Sequence, residues 1–120
     1  MKIAITSTGK DLSSELDQRF GRAAYFVLVD PETMEFEAVE NAQNLDLPQG
    51  AGIQAGKTMI ETKAKVLITG NCGPNAFKVL NSGGIKVFTN AKGKVKDAVS
   101  QYANGELDLA ADANVEGHWV

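Results

Sequence analysis

The chain has 120 residues, 43% hydrophobic and 22% charged, with a formal charge of −3 and one cysteine. That length suits one compact domain with a real core, and no apolar run approaches the roughly 20 residues of a membrane span. The lone Cys72 excludes an internal disulfide framework and a four-thiolate metal centre within one chain.

The charge is uneven. Glu106, Asp108, Asp112 and Glu116 lie in a stretch without a base, so residues 106–120 read as an acidic C-terminal tail and residues 1–105 as a near-neutral domain. A near-neutral domain lacks the clustered Lys and Arg that nucleic acid needs, so neither a nucleic-acid nor a membrane partner is expected. Met1 to Thr6 enters a strand pattern directly, with no leader-like segment, and the expected location is the cytoplasm.

In chain order, Lys2 to Thr6 predicts a short strand, apolar on both faces and therefore central. Thr6 to Asp17 predicts a polar loop with a short helical turn around Ser13 to Leu16. Tyr25 to Val29 predicts a second strand, Asp30-Pro31-Glu32-Thr33 a type I turn, and Met34 to Glu40 a return strand with one wet face. Gly50-Ala51-Gly52 opens a helical pattern through Ile53, Gly56, Met59 or Ile60, and Lys63. Val66 to Ile68 is a buried strand. Gly73-Pro74 starts a second helix with Phe77 and Leu80 inward, closed by Ser82-Gly83-Gly84. Ile85 to Thr89 is a fifth strand, Asn90 to Gly93 a turn, and Val95, Ala98 or Val99, and Tyr102 mark a third helix ending at Gly105.

Right-handed crossovers turn this order into an α/β fold built on one sheet. Its five-stranded mixed sheet has the order 3-2-1-4-5, with strand 2 antiparallel. In such a sheet a crevice opens at the carboxyl ends of strands 1 and 4, where the loops Thr6 to Arg22 and Thr69 to Asn75 begin. Arg19, Gly21 and Arg22 on one loop and Asn71, Cys72 and Gly73 on the other are the candidate binding residues. The arginines supply positive charge, Gly21 lets backbone approach a ligand, and the start of the second helix aims N–H groups at an anion. Cys72 is a soft ligand or, as lone cysteines usually are, a small buried hydrophobe. His118 at the chain end is a second weak metal candidate, set against a frayed terminus.

Ser7-Thr8-Gly9-Lys10 is no Walker A loop, because the first glycine and the hydroxyl after the lysine are missing. A ribonuclease-H-like nuclease needs carboxylates on strands 1 and 4, and these have none. With no nucleophile–base pair or paired carboxylates near the crevice, the expectation is binding rather than catalysis. Two classes stay open: a carrier of an anionic ligand, and a metal-free regulatory or interaction module responding to nucleotide or phosphate. The chain is compatible with a monomer or a homodimer.

Asp17-Gln18-Arg19-Phe20-Gly21-Arg22-Ala23, then Gly50-Ala51-Gly52, then Gly70-Asn71-Cys72-Gly73-Pro74-Asn75-Ala76 and Gly83-Gly84-Ile85 form an ordered set. The set resembles the dinitrogenase iron-molybdenum cofactor biosynthesis family over residues 1–105. That resemblance implies a three-layer α/β/α fold with a ribonuclease-H-like motif and a nitrogenase accessory factor-like domain, non-catalytic, with a cofactor-assembly protein as possible partner. It implies binding of an iron-sulfur, iron-molybdenum-sulfur or, as in orange-protein-type members, molybdenum-copper-sulfur cluster. The family often has histidine where this chain has Arg19, a departure that favours holding an anionic cluster by charge.

Overall fold

A computed structural model describes residues 2–41 and 51–110 of the chain. Gly50, His118 and the end of the acidic tail lie outside the described residues.

Strand β1 (Ile3–Ser7) is buried along its whole length, as an apolar strand flanked by neighbours on both sides must be. It pairs antiparallel with β2 (Tyr25–Val29), which pairs antiparallel with β3 (Phe36–Glu40). On its other side β1 runs parallel to β4 (Val66–Ile68), and β4 parallel to β5 (Lys86–Thr89). The order expected from the sequence is present and is extended by one strand. The acidic segment supplies β6 (Asp108–Leu109), antiparallel to β5, so the sheet is six-stranded with order 3-2-1-4-5-6.

Alternating side chains divide the core in two. Ala4, Phe26, Leu28, Leu67 and Val87 pack beneath helices α1 (Ala51–Thr62) and α2 (Pro74–Ser82). Ile3, Ile5, Val27, Val29, Val66 and Ile68 pack beneath α3 (Val95–Ala103), completing the three layers. On α1 the buried stripe is Gly52, Ala55, Gly56 and Met59; of the expected positions Gly56 and Met59 are in it, while Ile53 and Ile60 are partly exposed and Lys63 is exposed. Close helix packing explains the difference. A Cβ on Gly56 would lie 2.8 Å from Val79 Cγ1, so α1 turns its small residues toward the body of α2, while Ile60 lies against Gly83 at the end of that helix.

Two loops also differ from expectation. Asp11 to Ser14 forms the turn, closed by Ser14 N–H to the Asp11 carbonyl (3.1 Å), and Glu15-Leu16 is extended rather than helical. In the β2–β3 hairpin the Met34 N–H reaches the Asp30 carbonyl at 2.7 Å, one residue further than a type I turn. Met34 takes a left-handed φ of 63°, which delays β3 to Phe36.

Candidate functional site

The carboxyl ends of β1, β4 and β5 share one edge of the sheet, so their three outgoing loops meet there. Thr6 and Thr69, both fully buried at the ends of β1 and β4, share a hydrogen bond at 2.9 Å, and Thr6 Oγ1 donates to the Asp17 carbonyl at 2.7 Å. These hydroxyls tie the floor of the crevice to the returning arm of the first loop.

That arm then turns through a 3-10 helix, Phe20–Arg22. Phe20 anchors it, with no exposed surface and a ring stacked 5.5 Å from that of Phe26. A buried aromatic flanked by Arg19 and Arg22 fixes the backbone while leaving Arg19 exposed and Arg22 half-buried. Gly21 between them is buried. Neither guanidinium is paired with a carboxylate among the described residues.

The turn is sewn to the loop after β4. Arg19 and Asn71 bridge in parallel, Asn71 N–H donates to the Gln18 carbonyl at 2.7 Å, and Phe20 N–H donates to the Asn71 carbonyl at 3.3 Å. Arg19 and Asn71 are thus brought together, as the sequence predicted. Gly70 makes the approach possible, since a Cβ there would sit 2.1 Å from Gln18 Oε1 and 2.8 Å from its carbonyl oxygen.

Gly73 caps α2 with Pro74 at the first helical position. The first bond is Phe77 N–H to the Gly73 carbonyl at 2.9 Å, and among the described residues the amides of Asn75 and Ala76 are not claimed. Helix α3 is different: Lys94 N–H donates to Asp97 Oδ2 at 2.9 Å, so its own carboxylate occupies that end. An anion at the crevice therefore meets an open helix N-terminus at α2.

Cys72 precedes this terminus, but its side chain is 1% exposed and packs in the core with Phe20, Ala55, Met59 and Leu80. Burial pushes its thiol up to about 12 from 9.0, so at neutral pH it is a protonated hydrophobe. The structure thus matches the small-hydrophobe reading of this residue. Among the described residues no three His, Cys, Asp or Glu side chains group as a metal site.

The hydroxyls of the long loop are engaged locally. Ser7 Oγ donates to the Gly9 carbonyl at 2.8 Å and accepts its N–H at 3.1 Å. Asp11 Oδ1 accepts from the Ser13 and Ser14 hydroxyls, chiefly Ser13, which holds its carboxyl below the usual range.

Two contributors escaped the sequence reading. Gln18 joins three loops, its carbonyl meeting Asn71 and its Nε2 donating to the Ala91 carbonyl at 3.2 Å. No pattern marks such a glutamine. The second is Lys92-Gly93-Lys94 after β5, which is drawn to the same edge by Leu16 N–H on the Gly93 carbonyl (2.9 Å). Its position was available in principle, because loops leaving parallel strands emerge together. Lys92 and Lys94 are exposed there and add to the positive rim.

A family model described as dinitrogenase iron-molybdenum cofactor matches residues 1–105. Among solved structures, the apo form of the orange protein from Desulfovibrio gigas is 43% identical, with a TM-score of 0.89 over 95% of this chain and 96% of that one. A Thermotoga protein described as NifB and assigned to the DUF35 family is 34% identical, with a TM-score of 0.78 over 97% and 98%. A Methanocaldococcus jannaschii protein described as a dinitrogenase shares the fold at 17% identity, with a TM-score of 0.69 over 93% and 96%. A comparison with curated proteins gave no match.

Proposed function

This chain belongs to the dinitrogenase iron-molybdenum cofactor family, and from that premise we propose that it is a non-catalytic carrier of an anionic metal-sulfur cluster or its precursor. The cargo is of the iron-molybdenum or molybdenum-copper-sulfide type, held in the crevice between β1 and β4 and exchanged in the cytoplasm with a cofactor-assembly protein. The observation that carries the reading is the union of the Arg19 to Arg22 turn with the open N-terminus of α2 through the Arg19–Asn71 bridge.

The donor set suits such cargo. A cluster clothed in sulfide brings its own metal ligands and a negative charge, so it needs N–H donors and cations more than a thiolate. Arg19 and Arg22 supply the charge and the exposed Asn75 at the start of α2 an amide donor, while Gly21, Gly73 and Ala76 are buried in the two turns behind them. Cys72 contributes packing beneath the site rather than coordination.

The test is an anaerobic titration with tetrathiomolybdate, with and without copper, and with an iron-sulfur precursor, followed by desalting and metal analysis. Stoichiometric retained metal with a charge-transfer band is expected, weakened by salt. No retention from any of these donors would overturn the carrier reading.

A further inference from the structure

We infer that the outer edge of β3 is a docking strand for an extended basic segment of a partner protein, which adds to the sheet away from the crevice. The inference rests on the hairpin alone and does not depend on what the crevice carries.

Hydrogen bonds fix which groups are available. The Glu35 carbonyl accepts Asp30 N–H at 2.9 Å, and Asn41 N–H donates to the Ala24 carbonyl at 3.0 Å. Strand groups alternate, so odd positions from 35 to 41 face β2 while Phe36, Ala38 and Glu40 turn N–H and C=O outward. The strand ends the sheet, and no backbone bond reaches this edge from outside among the described residues. Its side chains are little covered, with Phe36 44% exposed.

Charge selects the occupant. Asp30 to Glu40 carries five carboxylates and no base, and Lys2, 3.3 Å from Glu37, is its ion-pair partner among the described residues. Two copies pairing through β3 would bring these carboxylates together, which guards the edge against self-association. A strand bearing lysine or arginine meets the opposite sign. A depression at the hairpin root provides a seat, lined by Lys2, Leu28, Asp30, Glu35, Phe36 and Glu37, with Leu28, Glu35 and Glu37 on one face of the sheet. A long basic side chain fits that chemistry, with its stem along the strand edge and its charged end among the carboxylates. The outward amides give affinity and the alternating contacts give selectivity.

The probe is a blocked peptide of about six residues alternating lysine and valine, titrated into the isotopically labelled full chain, with a glutamate-valine peptide as control. Amide shifts at Phe36, Ala38 and Glu40 are expected with the basic peptide and not with the acidic one. Ala38→Pro removes an outward donor without touching the ladder to β2, and should abolish binding in a folded protein. Glu35→Lys with Glu40→Lys, which does not depend on that proline being tolerated, should weaken the basic peptide about fivefold. Indifference to peptide charge, unchanged binding in the charge-reversed variant, shifts confined to the crevice, or dimerisation through β3 would each overturn the proposal.

Discussion

Arg19 and Arg22 flank a turn held by the buried Phe20 ring and by backbone bonds to Asn71, so their charge is separable from the fold. The double variant Arg19→Ala/Arg22→Ala should lower cluster affinity by roughly 10- to 100-fold. Its thermal midpoint should move by less than about 3 °C, a split read by metal retention beside calorimetry. Cys72 gives the converse experiment. Its folded pKa is raised, so the native thiol stays protonated after the unfolded one has ionised. The stability it confers is complete below pH 9 and is lost as pH rises toward about 12, by about 1.4 kcal/mol per pH unit. Urea melts across that window should show a steeper decline for the natural chain than for Cys72→Ala, and thiol reagents should label native protein slowly. A pure packing residue also predicts that Cys72→Ala retains cluster. At this scale the sequence was legible wherever size decides, as with Phe20. For Cys72 it favoured the small buried hydrophobe that the structure shows but left the soft ligand open, because a small side chain before a helix can point inward or outward, and it was silent on the role of Gln18, whose work is done largely by its carbonyl.

The elements that form the site are joined by backbone, and Gly70 is the tightest joint. In Gly70→Ala the new methyl meets the Gln18 side chain, which can swing away, and the Gln18 carbonyl, which cannot without breaking the Asn71 bond. A loss of about 1–3 kcal/mol is expected, with reduced cluster retention; both are measurable by denaturant melts and desalting. Lys63 tests the opposite sign. It follows α1 with a left-handed φ of 65° and is exposed, so Lys63→Gly should stabilise the protein by about 0.5–1 kcal/mol, seen as a higher urea midpoint. Strands and the starts of α2 and α3 were readable because apolar period and proline or glycine punctuation agree there. The inward stripe of α1 was readable only at Gly56 and Met59, since glycine and alanine carry no hydrophobic signal yet win the contact by letting helices approach. The hairpin turn was placed correctly but ran one residue longer, because Met34 adopts a conformation that its side chain does not advertise.

Across the whole molecule the order of the first five strands followed from handed crossovers and the antiparallel hairpin, and β6 did not. Its two residues, Asp108 and Leu109, are too few for a period and sit in an acidic stretch that reads as solvated. Yet the segment holds the β5 edge through the β6 ladder, Ala110 N–H to the Val87 carbonyl (2.8 Å), and an Asn90–Asp108 side-chain bond. Truncation after Gly105 should therefore cost about 1–3 kcal/mol and speed amide exchange in β5, while a merely dangling tail would change neither. No helix among the described residues is long and apolar enough to cross a membrane. The loops around the crevice are locked to one another by the chain's own hydrogen bonds at Gln18, Asn71, Gly93 and Ala91. A socket assembled in advance loses little freedom when filled, so loading runs at the pace of encounter and residence time depends on the strength of the grip. If the site carries the proposed cluster, unloading then calls for a competitor that takes the cargo, because the bonds that join these loops do not run through it.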